Sequence, residues 1–356
     1  MIISILFLIL GFVLLSRGAD MLVDGASAIA RKFNIPEIVI GLTIVACGTS
    51  APEAAVSISS VITGSAGVGV GNILGSNIAN ILLILGVSAL ISNLYVQRNT
   101  VLYEIPFVCF ISLLLMFMGW QYGIISHGGA AILCILFSLF ILYLFIISQR
   151  QKTDNLPAEN MSMTKMVLFV IFGIIALTFG AKITVDSAIH IAHALQVSER
   201  IIGLTLVAFG TSLPELVTCI AAALKKRSDI VIGNIVGSNI FNILFVLGIT
   251  GLIQPIPFES AFLVDSAIGI VASVLLFIFV FYDRKLNPLQ VRPVSICYCV
   301  HDSYNQIFYF LRHPLKIVRS NLCCIAFARF LLLWNGLYLL NQGAMSEFQY
   351  SLAPNL

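Results

Sequence analysis

Charge is what this chain carries least of. Asp, Glu, Lys and Arg make up 10% of its 356 residues, against roughly 25% in ordinary soluble domains. Hydrophobic residues reach 59% and the mean hydropathy is +1.04, so the solvent of this protein is a bilayer. No alternation of apolar and polar residues marks a β-barrel, which leaves helices to satisfy the backbone in lipid. Other absences narrow the function. The eight cysteines contain no C-x-x-C, and Cys47, Cys109, Cys134 and Cys219 lie in apolar segments as small buried side chains. Gly67, Gly69 and Gly71 follow no strand, so they are not a nucleotide-binding loop. A G-x-G-D setting for an intramembrane aspartyl protease is lacking. No basic residues precede the apolar run Ile2–Leu15, which argues against a cleaved signal peptide despite the A-x-A pattern at Ala28-Ile29-Ala30. Neither an enzyme activity, a cofactor nor a nucleic-acid partner is expected.

What is present is a set of apolar windows of the length that crosses a hydrocarbon core, about 20 residues. They fall near 2–19, 36–62, 70–92, 103–119, 128–148, 164–181, 200–224, 231–253 and 261–282. A tenth is sought in the tail. With the amino terminus outside, the inner loops up to residue 287 carry Arg31, Lys32, Arg98, Arg150, Lys152, Lys165, Lys225, Lys226, Arg227, Arg284 and Lys285, and the outer loops only Arg200. That positive-inside bias makes the chain a multi-pass cell-membrane protein with its linker, residues 149–163, in the cytoplasm.

The chain also writes one text twice. Ile40–Glu53 reads IGLTIVACGTSAPE and Ile202–Glu215 reads IGLTLVAFGTSLPE; GNILGSNIANILLILG at Gly71–Gly86 returns as GNIVGSNIFNILFVLG at Gly233–Gly248. Both pairs are offset by 162 residues (202 − 40 and 233 − 71). Five crossings per copy is an odd number, so the second copy enters the membrane from the opposite side. The expected fold is therefore all-α, about ten transmembrane helices arranged as two inverted-topology five-helix repeats.

Each copy sets a glutamate in an apolar stretch. An ionised acid at the bilayer centre costs roughly 2.5–3.5 kcal/mol on insertion scales, so Glu53 and Glu215 are functional. Pro52 and Pro214 lack an N–H and break the helix just before each acid, freeing carbonyls that lipid tolerates only beside a cavity. Thr49, Ser50, Thr211 and Ser212 add hydroxyls. Asn72, Ser76 and Asn80 recur every four residues along one helix face, as do Asn234, Ser238 and Asn242. For Gly71, Gly75, Gly233 and Gly237, close helix packing is the expected role. The whole is a set of oxygen ligands suited to hard cations such as Ca²⁺ and Na⁺.

The doubled G-T-S-x-P-E and G-N-x-x-G-S-N-x-x-N segments resemble the two α-repeats of the calcium/cation antiporter superfamily, the sodium/calcium exchanger family of prokaryotic type. The resemblance implies alternating-access antiport of Ca²⁺ against Na⁺, with ions bound between helices two, three, seven and eight. It implies Glu53 and Glu215 as shared ligands, and Thr49 and Thr211 as carbonyl donors to Ca²⁺. Ser50, Ser212, Ser76, Ser238 and the carbonyls of Ala46 and Ala208 would complete Na⁺ sites, while helices one and six slide past this core. Some members have an aspartate where this chain has Asn242, paired here with Asn80; two carboxylates rather than three argue against an additional K⁺. Protons are the rival coupling ion, because a carboxyl held out of water titrates nearer neutrality. A passive cation channel would more naturally be a symmetric oligomer.

The domain plan is a first repeat at 1–148, the linker at 149–163, a second repeat at 164–287 and an atypical tail at 288–356. Asp20, Asp24 and Asp186 are accessory or interfacial groups, with Lys182 a partner for one of them. Glu104 and Glu259 fall near membrane boundaries. In the tail, either Asn321–Asn341 forms a poor tenth helix or the region from about residue 288 is read in a shifted frame.

Overall fold

The computed structural model describes residues 2–150, 161–196 and 208–286. The helices are α1 (Ile2–Lys32), α2 (Glu37–Thr49), α3 (Ala51–Ile62), α4 (Ala66–Ile91), α5 (Thr100–Tyr122), α6 (His127–Arg150), α7 (Met163–Ala194), α8 (Leu213–Leu224), α9 (Ser228–Ile253) and α10 (Ser260–Asp283). Helices α2 and α3 are a pair bent by 49° that together are long and apolar enough for one crossing. Counting that pair once, eight of the nine expected windows hold helices long and apolar enough to cross a membrane. The ninth, 200–224, is described only from a turn at Ala208–Gly210 into α8. Most of the linker, Arg200, the start of the second motif and the tail from 287, with any tenth helix, lie outside the described residues.

Glycine spacing explains how the halves meet. Gly11 and Gly18 of α1 face Gly180, Thr184, Gly173 and Leu177 of α7, and Gly25 faces Met166 and Phe169. As the number rises along α1 it falls along α7, so these two helices, which occupy equivalent places in the repeats, run antiparallel. That is the inversion. A Cβ on Gly18 would sit 2.9 Å from the Gly173 carbonyl oxygen, and one on Gly173 2.8 Å from the Leu22 nitrogen. The two backbones touch, as small residues permit in membranes. Gly233 packs likewise on Gly41, and Gly237 on Leu42, as expected of them; Gly71 and Gly75 do not share that role, since a Cβ on Gly71 would meet nothing nearer than Phe262 at 3.7 Å and one on Gly75 nothing within 4 Å.

Two short antiparallel ladders, unforeseen from the apolar windows, tie the loops of one repeat to those of the other. Leu94–Tyr95 (β1) pairs with Lys285–Leu286 (β4), and Ile124–Ile125 (β2) with Ile256–Pro257 (β3). Helix α9 is buried at every position from Ile230 to Ile240, whereas α6 and α7 expose apolar side chains such as Leu139, Phe145, Phe172 and Phe179. A helix enclosed on all sides is the centre of a bundle. The exposed apolar shell is the face that lipid solvates.

Candidate cation site

The two acid-bearing crossings break in the same way. Ser50 (φ −83°, ψ 7°) and Ser212 (φ −87°, ψ 4°) leave helical geometry, and each is followed two residues later by proline in the first turn of the next helix, where a missing N–H does no harm. Glu53 and Glu215 then point into the bundle, both 0% exposed. Ser50 Oγ donates to Glu215 Oε1 at 2.7 Å, and Ser76 Oγ donates to Glu53 Oε1 at 3.2 Å. Ser76 and Ser212 share a hydroxyl–hydroxyl bond of 2.7 Å. Thr49 Oγ1 donates to Asn234 Oδ1 at 3.0 Å, mirrored by Thr211 Oγ1 to Asn72 Oδ1 at 3.1 Å. The sequence motifs of the two halves are thus joined by hydrogen bonds across the repeat.

The unspent oxygens are as informative as the bonded ones. Glu53 Oε2, Glu215 Oε2, Asn80 Oδ1, Asn242 Oδ1 and Ser238 Oγ are buried and have no hydrogen-bond partner. Four of these five are two repeat-related pairs. An unsatisfied buried polar group costs about 1–3 kcal/mol, and several in one bundle are retained where something positive complements them. All five are oxygens, and among the described residues no group of three or more His, Cys, Asp or Glu could hold a metal. A donor set of oxygens fits a hard cation. Of the expected carbonyl donors, Ala46 O already accepts the Ser50 N–H at 3.0 Å and the Thr49 hydroxyl at 3.3 Å; Ala208 opens the turn before Ser212.

Backbone widening marks the same level. Asn80–Ile84 and Phe241–Val246 are π-helical turns, a distortion common at functional sites and invisible to side-chain periodicity. Two residues that the four-residue pattern passed over, Asn77 and Asn239, bond to Asn242 and Asn80. Their signal was an asparagine repeated in both copies one position after Ser76 and Ser238.

Two accessory groups have defined partners. Glu104, five residues into its helix, is buried at 3% exposure and accepts a hydrogen bond from Tyr143 Oη. Asp20 and Asp24 pair with Lys225, at 2.9 and 2.8 Å. Burial pulls the Lys225 ammonium down, but Asp24 and Asp20 outweigh it and hold its pKa above the ordinary lysine value. Nearby, Arg227 meets Glu37 at 2.7 Å and Gln97 donates to Asp229 at 2.6 Å. These contacts tie one end of the bundle together. The residues 162 positions before Lys225 and Arg227 are Thr63 and Ser65, which carry no charge.

A helix bundle of two inverted repeats, with paired buried acids at broken helices, is a multi-pass membrane transporter rather than an enzyme. Sequence comparison agrees: the family described as sodium/calcium exchanger protein matches residues 3–147 and 165–301. The chain is 33% identical over 320 residues to the sodium/calcium exchanger MaX1 of Methanosarcina acetivorans, covering 78% of this chain and 91% of that one. It is 38% identical over 271 residues to the putative antiporter CaxA of Alkalimonas amylolytica, covering 73% and 84%. A solved structure of the sodium-calcium exchanger NCX_Mj superimposes with a TM-score of 0.74 at 35% identity, covering 84% of this chain and 97% of that one. The chain belongs to the sodium/calcium exchanger family, and its class of activity is cation antiport.

Proposed function

We propose that the protein exchanges Ca²⁺ for Na⁺ by alternating access, with Glu53 and Glu215 as the ligands both ions share. The observation that carries this reading is the pair of fully buried carboxylates, each holding one unpartnered oxygen. Thr49 and Thr211 offer carbonyls to Ca²⁺; Ser50, Ser212, Ser76, Ser238 and the carbonyls of Ala46 and Ala208 serve Na⁺; Asn80 and Asn242 flank both. One Ca²⁺ neutralises two carboxylates, and the same two are all that several Na⁺ have. The ions therefore exclude one another, and a site of this kind that opens to either side is an antiporter. A three-for-one cycle, which the family resemblance implies, would leave a positive surplus and make exchange electrogenic; two carboxylates rather than three make it independent of K⁺.

In this scheme α1 and α7 slide along their glycine seam past the acid-bearing helices. The amino terminus lies outside and the linker, residues 149–163, inside, following the loop charges. The names of MaX1 and NCX_Mj support Na⁺ as the partner ion. The test is Ca²⁺ uptake into Na⁺-loaded proteoliposomes clamped at equal pH on both sides. Robust uptake is expected. No uptake there, with uptake under a pH gradient in Na⁺-free medium, would replace Na⁺ with H⁺.

A further inference from the structure

We infer that Asn77 and Asn239 are positioning residues that fix the amide orientation of Asn80 and Asn242, so that both present a carbonyl oxygen and not an NH₂ to the cation. The inference rests on the cation site proposed above. Four hydrogen bonds form a two-fold lattice between α4 and α9. Asn77 Nδ2 donates to the Asn239 main-chain carbonyl at 3.4 Å, and Asn239 Nδ2 donates to the Asn77 main-chain carbonyl at 3.2 Å. Asn80 Nδ2 donates to Asn239 Oδ1 at 2.9 Å, and Asn242 Nδ2 donates to Asn77 Oδ1 at 3.1 Å. All four side chains are buried, from 0% to 7% exposed.

The orientations follow from chemistry alone. A main-chain carbonyl only accepts, so the end of Asn77 and of Asn239 that faces it must be the NH₂. Their Oδ1 atoms are then committed to the opposite direction. An amide oxygen also only accepts, so the groups that meet them, on Asn242 and Asn80, must be NH₂ as well. That leaves Asn80 Oδ1 and Asn242 Oδ1 as the free ends, and both are buried without a partner. Each lies one helical turn beyond a serine of the site, Asn80 beyond Ser76, which touches Glu53, and Asn242 beyond Ser238. A flipped amide would offer its positive edge instead. Because each lock is supplied by the opposite repeat, the lattice also sets both copies to the same polarity.

A double-mutant cycle on the purified, folded protein tests this, reading radiolabelled Ca²⁺ binding. Asn77→Ala leaves the Asn242 amide free to turn and should weaken Ca²⁺ binding by about tenfold or more, the scale on which lost outer-shell partners act. In an Asn242→Asp background the same change should cost less than about twofold, since a carboxylate has an oxygen whichever way it turns. An equal loss in both backgrounds, or none in the native one, overturns the inference: the first is the mark of a helix-packing role. If Asn77→Ala does not yield folded protein, the mirror pair Asn239→Ala with Asn80→Asp carries the same test. Glu53→Gln is run alongside. Retained Ca²⁺ binding there would overturn the cation site itself, whereas its loss with no effect of Asn77→Ala overturns the positioning role alone.

Discussion

Helices α3 and α8 share a break, a proline and a glutamate, and differ in what covers them. On α3, Ala51, Ala55, Val56, Ser59 and Ile62 are exposed; none of the twelve residues of α8 is. The second half of α1 lies along α8 and is tied to its end by Lys225, while among the described residues α7 makes no comparable seam with α3. What the copies hold in common forms the proposed cation site; what they do not share is the Lys225 tie that draws one end of the bundle together. An inverted repeat can exchange the two environments without altering the core, as the proposed alternating access would require.

The largest effect should fall on the shared part. Glu53→Gln and Glu215→Gln should each lower Ca²⁺ flux by more than the roughly 10–100-fold that loss of an outer-shell partner costs a metal site. Flux above half that of the native protein in either variant breaks the equivalence of the two acids. Next comes the seam along which the unlike parts move. Gly173→Leu drives a side chain into the α1 backbone, an overpacking cost of about 1–3 kcal/mol or more, visible as a lower unfolding temperature in detergent and slowed exchange. Gly71→Ala, where the nearest atom to a new Cβ is 3.7 Å away on Phe262, should be tolerated; equal sensitivity of both would refute the seam.

The difference in cover predicts labelling. In a cysteine-free background, Ser59→Cys on α3 should react with a membrane-impermeant thiol reagent at least roughly tenfold faster than the equivalent Ala221→Cys on α8, because reaction follows access. Equal rates would erase the comparison. The smallest effect belongs to Lys225→Met. Its ion pairs are partly solvated, worth about 0.5–1 kcal/mol after screening, so the tied end should open only a few-fold more often. The readout is faster labelling of Ala221→Cys in that variant.

The acids, hydroxyls and inverted plan were legible because the chain repeats them and because charge in an apolar run has few structural excuses. The rest failed to show for definable reasons. Asn77 and Asn239 act across two helices, and a four-residue period describes one helix at a time. The π turns at Asn80 and Phe241 are backbone events with no composition of their own. Glu104 sits near the edge of an apolar window, and only the approach of Tyr143 from α6 reveals that it is buried. The ladders of two residues each are too short to leave a period.

The claim that matters most is that Ca²⁺ and Na⁺ compete for Glu53 and Glu215. Its most direct measurement is radiolabelled Ca²⁺ binding to the purified protein titrated with Na⁺ at constant ionic strength and pH. Na⁺ should displace Ca²⁺ completely, with a steepness above that of one-for-one replacement, and Glu53→Gln should bind no Ca²⁺ to displace. Ca²⁺ binding that is indifferent to Na⁺, or that persists in Glu53→Gln, would contradict it.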